Sequence, residues 1–387
     1  MGVIGVGNMG SHHIQYIDEI EGARLTAIAD VDPEKLDAAR NSLGDKADDV
    51  EFFGPGMDLI EKGPVDAVLI ATPHYDHPPL TIAAFKKGIH VLCEKPVAVT
   101  AKAAAEVEAA WKRKKNKPVW GAMFQQRTQA RWKKVKQLIA DGQIGQIQRV
   151  NWIITSWFRS QAYYDSGGWR ATWEGEGGAV LINQCPHNLD LITWFCGVPE
   201  RVTALVGLGK HHKIEAEDDV TAMLEYPNGA TGVFVTTTGD CPGTNRLEIT
   251  GDAGRIIVGE RFELLKTHQP VKEYSFTTDQ AFGSVAYDVM DVTVGGKDHG
   301  HRQVTEQFIA AVLADDDSLL VAHASDGIKG LELGNAMLMS GLTGEPVKIP
   351  TPRDKYEKLL KDLASKSTFK KPKPTKKAKA DLGASYT

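Results

Sequence analysis

Three sets of residues in this chain have types and spacings that could do chemistry. Gly5, Gly7 and Gly10, with Asn8 and Met9 between the last two, form a G-x-G-x-x-G loop, and Asp30 follows twenty residues after Gly10. Lys95 stands in the run Cys93-Glu94-Lys95-Pro96, directly after a short apolar stretch. Asn183 and His187 are four residues apart in GGWRATWEGEGGAVLINQCPHNLD, the stretch from Gly167 to Asp190, in the company of Trp169, Arg170, Trp173 and the preceding pair Tyr163-Tyr164.

Each set has a physical reading. Gly5 allows a sharp strand-to-helix turn, Gly7 lets a pyrophosphate approach bare backbone, and Gly10 lets the helix pack closely on the sheet. The helix then turns its free amides and positive dipole end toward the phosphates. A carboxylate at Asp30, at the tip of the second strand, can accept hydrogen bonds from both hydroxyls of an adenosine ribose. A 2′-phosphate would meet a like charge there, and neither Val31 nor Asp32 neutralises it, so NAD is expected over NADP. Lys95 would carry its ammonium at the carboxyl end of a central strand, beside the nicotinamide half of that cofactor, with Pro96 fixing the turn. An imidazole at His187 titrates near neutrality and can take a proton from an alcohol as hydride leaves the same carbon. On an α-helix Asn183 and His187 share a face, and the nearby aromatic rings could stack on a sugar.

The elements needed to position these residues are legible around them. Val3 to Asp32 reads as one β-α-β unit. Helices follow at Pro33–Leu43, Pro79–Lys87 and Ala101–Lys114, with buried strands at Val65–Ala71, His90–Cys93 and Val119–Phe124. This alternation predicts a doubly wound parallel sheet, whose ligands bind at the strands' carboxyl ends. After Gln146 the pattern turns to strands at Ile147–Phe158, Val202–Leu208, Asp219–Tyr226, Thr231–Thr237, Arg246–Thr250, Arg255–Val258 and Phe262–Thr267, preceded by a helix at Ala179–Phe195. That is a mainly antiparallel open sheet, with helices on one face and the other expected to be hidden by a second subunit. Late helices are expected at Arg302–Leu313, Ser325–Leu342 and Arg353–Ala364. The resulting plan is an α/β nucleotide-binding domain over 1–124, an α+β substrate and oligomerisation domain over 125–350, a C-terminal helix over 351–365 and a basic tail over 366–387.

With 387 residues, 42% hydrophobic and 25% charged, the chain has the make-up of a soluble globular protein. It contains no apolar run of the ~18 residues a membrane span requires and no secretory leader pattern. Its four cysteines, Cys93, Cys185, Cys196 and Cys241, are scattered, which fits reduced thiols in a cytoplasm. Residues 366–387 carry seven lysines and one aspartate, so the net charge of −5 leaves −11 on residues 1–365, a poor surface for nucleic acid. The histidine pairs 74/77, 211/212 and 299/301 have no converging ligand set, and no metal is expected. Only four residues precede Gly5, so the first strand is expected to be short and the natural chain to begin further upstream.

Together, Gly5 to Gly10, the Thr72-Pro73 turn with His77 after it, Glu94-Lys95-Pro96, Trp169-Arg170 before a glycine cluster, and the helix bearing His187 resemble the Gfo/Idh/MocA family of sugar and polyol oxidoreductases over about residues 1 to 350. The resemblance implies an N-terminal Rossmann domain, an open-sheet C-terminal domain and a homodimer or homotetramer formed through that sheet. It implies that Lys95 polarises the reacting oxygen and that His187 is the acid/base. It also implies that Thr72, Pro73, His77, Glu94, Gln125, Trp169 and Arg170 join the glycine loop and Asp30 around NAD. Tyr163, Tyr164, Trp173, Asn183, His187 and Lys95 would then meet a sugar, glycoside or polyol such as inositol. The family pattern has Asp where this chain has Asn183, and Glu176 interrupts its triple glycine. An amide stabilises an imidazolium less than a carboxylate does, so either His187 should be a weaker base or Lys95 should take more of the proton traffic. Two other readings of the same residues are a redox-neutral enzyme that retains NAD while elimination, hydrolysis or epimerisation proceeds, and an NAD-binding regulator without turnover.

Overall fold

Short apolar runs become strands buried on both faces when helices cross over them. In the computed structural model, which describes residues 1–296 and 300–371, six such runs form a parallel sheet. They are β1 (Gly2–Ile4), β2 (Ala27–Ala29), β3 (Glu51–Phe53), β4 (Ala67–Ile70), β5 (His90–Cys93) and β6 (Trp120–Ala122), in the order β3-β2-β1-β4-β5-β6. Winding reverses between β1 and β4, which opens a crevice at their carboxyl ends. The described residues divide into two compact units, one of residues 1–129, 174–177 and 300–331, the other of 130–173, 178–296 and 332–371.

Within the first unit the tightest constraint lies between β1 and the helix Asn8–Ile17. Gly5 has φ +90°, and a Cβ added at Gly10 would lie 1.8 Å from the Gly5 carbonyl oxygen. Only a glycine pair permits that approach. At Gly7 an added Cβ would meet nothing within 4 Å. Val3, Ile17, Leu25 and Ile28 pack with Val304, Phe308 and Ile309 of the helix Gly300–Ala314 in a common core.

In the second unit, nine strands form one sheet: β7 (Ile147–Ile154), β8 (Arg201–Leu208), β9 (Glu217–Glu225), β10 (Thr231–Thr237), β11 (Asn245–Gly251), β12 (Gly254–Val258), β13 (Phe262–Thr267), β14 (Tyr287–Asp291) and β15 (Val347–Lys348). The order is β14-β13-β12-β11-β7-β10-β9-β8-β15, antiparallel throughout except where β10 runs parallel to β7. Alternation sorts the faces. Trp152, Val220, Ala222, Leu224, Phe234, Leu247 and Ile249 are buried on one, where the Trp132 ring packs between those of Trp152 and Phe195. On the other, Leu205 and Met223 are 77% and 62% exposed, and Ile153 is also exposed. Register places Met223 opposite Val233 and Val235 opposite Ile153, with Thr221 between Leu205 and Val235, so apolar pairs on this face alternate with polar residues. The helix Val271–Thr277 has no buried residue and every residue of β14 is exposed.

Most expected strands stand within two residues of their predicted ends, and β5, β10 and β13 match at both ends. One element differs in kind. The single helix expected over Ala179–Phe195 is a wide π turn, Val180–Gln184, followed by an α-helix, Pro186–Cys196. Pro186 has no N–H for the carbonyl four residues back, so the Cys185 N–H bonds the Val180 carbonyl five back instead, at 2.9 Å. β7 also stops at Ile154 rather than continuing to Phe158. Of the expected tail, residues 372–387 lie outside the described residues, as does His299.

The glycine geometry separates packing from ligand space. Gly10→Ala should lower the melting temperature by about 5 °C or more, because a backbone oxygen cannot yield to the added methyl group. Gly7→Ala should leave it within about 2 °C; differential scanning calorimetry of the two variants checks the pair.

Candidate active site

Five loops leave the carboxyl ends of β1, β2, β4, β5 and β6, and each carries an expected site residue. After β1, Gly7 caps the helix Asn8–Ile17, whose first amides, from Asn8 and Met9 onward, have no partner within the helix. After β2, Asp30 turns back to this loop: Oδ2 accepts from the Val6 N–H at 2.8 Å and Oδ1 from the Asp32 N–H at 2.9 Å. Each oxygen keeps a second lone pair for a ribose hydroxyl. After β4, the Thr72 Oγ1 atom is buried with no hydrogen-bond partner among the described residues, a group suited to a ligand. The open space at Gly7, the paired acceptors of Asp30 and the orphaned Thr72 hydroxyl all fit a dinucleotide. Lys35 bears on the cofactor choice. Its Nζ lies 3.9 Å from an oxygen of Asp30 and 3.9 Å from one of Asp32. Lys35 stands in the first turn of the helix Pro33–Leu43, beyond the Val31-Asp32 pair that follows Asp30. One lysine beside two carboxylates still leaves net negative charge where a 2′-phosphate would lie.

Lys95 follows β5, and the Lys95-Pro96 peptide is cis. Two buried histidines support this turn from below. His77 is fully buried, with Nδ1 2.7 Å from the Pro96 carbonyl oxygen and Nε2 2.9 Å from that of Thr72, so it ties the Thr72 and Lys95 turns together. Expected as a cofactor contact, it has no exposed surface and serves the site from behind. Its pKa is lowered by burial, against the pull of the two carbonyls. His13, also fully buried, places Nε2 2.8 Å from Glu94 Oε1, and Glu94 Oε2 accepts from the Lys95 N–H at 3.1 Å. Burial alone would raise the Glu94 carboxyl, but the hydrogen bond and charge of His13, with His301 and Lys95 beyond, hold it down at about 2. The His12, His13 and His301 rings cluster within 6.1 Å of one another. His13 went unread in the sequence, although it occupies an inward position of the first helix beside Ile14 and Ile17, where an apolar residue is the rule. Gln125 is buried at the start of the short turn Gln125–Thr128 after β6, and Arg127 pairs with Asp326 at 3.3 Å.

In the second unit, Tyr163 is the hub. Its hydroxyl accepts from Arg170 at 3.0 Å and from the Gln184 amide at 3.0 Å, and donates to Asn183 Oδ1 at 3.4 Å. The Arg170 guanidinium lies 4.6 Å from the centroids of both Tyr163 and Trp169. These rings hold an arginine, where the sequence suggested a sugar. Two further expected substrate residues are buried. Tyr164 is 1% exposed, hydrogen-bonded to Thr238 Oγ1 at 2.7 Å and packed on His212, because neighbours on a helix point about 100° apart and only one can face the hub. Trp173 is 4% exposed, and its backbone N–H donates to Glu215 Oε1 at 2.9 Å. His187 is buried in the first turn after Pro186. The preceding π turn begins on Glu217, whose Oε1 accepts from the Ala179 and Leu181 N–H groups at 2.9 and 3.0 Å. Fully buried Glu217 and the Gln184 contact had no local sequence signal. His211 and His212 pair with Asp219 and Asp218, and among the described residues no group of three or more His, Cys, Asp or Glu could hold a metal.

Burial lowers the pKa of His301 to about 4 despite the pull of Glu94. Below its ordinary value of 6.5 the unfolded chain therefore binds a proton that the folded one refuses. Stability is full above pH 6.5 and falls toward pH 4, by up to about 3 kcal/mol from this group. His301→Gln should flatten the decline of melting temperature between pH 7 and 5, read by calorimetry across that range.

Two family descriptions match the chain: "Oxidoreductase family, NAD-binding Rossmann fold" over residues 1–121 and "GFO/IDH/MocA C-terminal domain" over residues 132–257. The inositol 2-dehydrogenase of Rubrobacter xylanophilus is 33% identical over 196 residues, 50% of this chain and 51% of that protein. The myo-inositol 2-dehydrogenase of Thermotoga maritima is 30% identical over 263 residues, 66% of this chain and 74% of that protein. The chain thus matches about half the length of the first relative and about three quarters of the second. Among solved structures, the WlbA dehydrogenase of Bordetella pertussis in complex with NADH and UDP-GlcNAcA has a TM-score of 0.75 at 27% identity, covering 90% of this chain and 98% of that one. Levoglucosan dehydrogenase with NADH and levoglucosan, at 22% identity and a TM-score of 0.72 over 90% of this chain and 99% of its own, shares the fold. With the glycine loop and Asp30 in place, these matches establish the chain as a member of the Gfo/Idh/MocA oxidoreductase family, with an NAD-binding Rossmann domain at its N-terminal end.

Proposed function

We propose that this protein transfers a hydride between NAD and a ring carbon of a cyclic polyol or sugar, at a secondary hydroxyl or the corresponding ketone. The observation that carries this reading is Lys95 at the carboxyl end of β5, one strand from the switch point beside which the glycine loop and Asp30 lie. The inositol dehydrogenases among its relatives favour a cyclic polyol. The nicotinamide supplies the hydride acceptor or donor. Lys95 donates a hydrogen bond to the reacting oxygen, where alkoxide charge would be costly without a cation. His187 takes the hydroxyl proton in oxidation and returns it in reduction. Asn183, whose side-chain oxygen accepts from Tyr163, orients the substrate as a neutral group. Trp169 and Arg170 border the cofactor, and Tyr163 holds Arg170 in place.

The partner in this reading is a second copy of the chain. The apolar side chains of Leu205, Met223, Val233, Val235 and Ile153 on the open face of the sheet support assembly through that face. No helix among the described residues is long and apolar enough to cross a membrane. Four free cysteines fit a reducing compartment.

Purified protein mixed with inositols, sugars and glycosides should form NADH, seen as absorbance of the reduced nicotinamide, in proportion to added NAD. Substrate loss without NADH, from protein that arrives with NAD bound, would overturn net dehydrogenation in favour of a redox-neutral cycle. Lys95→Ala should abolish measurable turnover and leave the NAD dissociation constant within about threefold. His187→Ala should lower kcat by about 10² to 10⁴ and flatten its pH profile near neutrality. For the assembly, Leu205→Asp combined with Met223→Asp should yield monomers by light scattering; an unchanged mass would place the contact elsewhere.

A further inference from the structure

We propose that His13 and Glu94 form a positioning pair that couples the cofactor helix to the catalytic lysine. This inference deepens the reading above and rests on Lys95 being the group at the reacting oxygen. Glu94 precedes Lys95, yet its carboxylate lies buried beneath the turn with both oxygens engaged by protein: Oε1 with His13 Nε2 at 2.8 Å and Oε2 with the Lys95 N–H at 3.1 Å. On its far side the His13 ring meets the Tyr16 hydroxyl, which in turn lies 3.3 Å from Thr305 Oγ1. With the proton on Nε2, donation converges on Glu94, from the Tyr16 O–H through His13 to Oε1 on one side and from the Lys95 N–H to Oε2 on the other.

Two physical consequences follow. His13 belongs to the helix that starts at Gly7, so any shift of that helix on binding a dinucleotide reaches the Lys95 backbone through two hydrogen bonds. The buried carboxylate also interacts electrostatically with the Lys95 side chain, and its negative charge favours the protonated form needed to stabilise an alkoxide. The titratable groups that interact with Glu94 are His12, His13 and Tyr16 on the first helix, His77 on the helix after β4, Cys93 at the end of β5, His301 on the helix Gly300–Ala314, and Lys95 itself.

The test uses full-length protein and reads Lys95 directly. Competitive labelling of lysines with acetic anhydride across pH, mapped by mass spectrometry without added cofactor, yields the Lys95 titration midpoint. Glu94→Gln removes the negative charge and should move that midpoint down by about one unit. His13→Leu should move it too, whereas His13→Gln, whose amide can still donate to Glu94, should restore it. In turnover, His13→Leu should lower kcat about 10- to 100-fold, shift the alkaline limb of its pH profile with the labelling midpoint, and leave the NAD dissociation constant within about threefold. An unmoved Lys95 midpoint in Glu94→Gln would overturn the pairing, as would NAD affinity falling in step with kcat, which would make Glu94 a cofactor ligand. Should His13→Leu fail to fold, the isosteric Glu94→Gln decides the matter alone. Absence of turnover with every polyol and sugar would remove the reading of Lys95 as catalyst, while the labelling midpoints would still report whether the pair acts on it.

Discussion

The backbone contact between Gly5 and Gly10 is the constraint on which the nucleotide-binding unit depends. With an added Cβ only 1.8 Å from a carbonyl oxygen, the first helix can sit against β1 at one distance and with no other residue type. Three things follow from that placement. The helix amides face the carboxyl ends of the strands. The Val6 N–H comes within 2.8 Å of Asp30, which fixes the loop and the acid together. His13, two turns along the helix from Gly7, reaches below β5 to Glu94. Cofactor cradle and lysine turn are therefore set by one packing distance rather than by separate devices.

Buried charge is handled in the same economical way on both sides of the chain's division. Glu94 and Glu217 each place a carboxylate in the interior, where an isolated charge is expensive. Each is used to fix backbone: Glu94 holds the Lys95 N–H, and Glu217 holds the Ala179 and Leu181 N–H groups that open the π turn. The two carboxylates thus position the segments bearing Lys95 and His187 through main-chain hydrogen bonds.

Tyr163 shows how aromatic company can mislead. A Tyr-Tyr pair near tryptophans and an arginine reads as a platform for a sugar ring, because stacking is what such rings do when exposed. Here the Arg170 guanidinium claims the Tyr163 and Trp169 faces, and the tyrosine hydroxyl gathers Arg170, Gln184 and Asn183. Asn183 is thereby oriented by a phenol. A neutral amide suits that role, since it accepts from the hydroxyl without adding a charge.

From residue order alone, the two folds, most strand positions, the glycine loop with Asp30 and the strand-end place of Lys95 were all determined. They depend on local periodicity, on glycines that no other residue can replace, and on the rule that open α/β sheets bind ligands at their carboxyl ends. What only the tertiary structure decided are the contacts that join distant segments: His13 to Glu94 across 81 residues, Glu217 to Ala179 across 38, and Tyr163 to Gln184 across 21. A buried histidine on an apolar helix face carries no mark of its partner until the strand beside it is known. The proline before His187 was visible, but whether the helix kinked, broke or widened depended on Glu217 being placed to receive the amides at its start. Tyr163 and Tyr164 are indistinguishable as neighbours in a sequence, and packing alone chose which of them faces the hub.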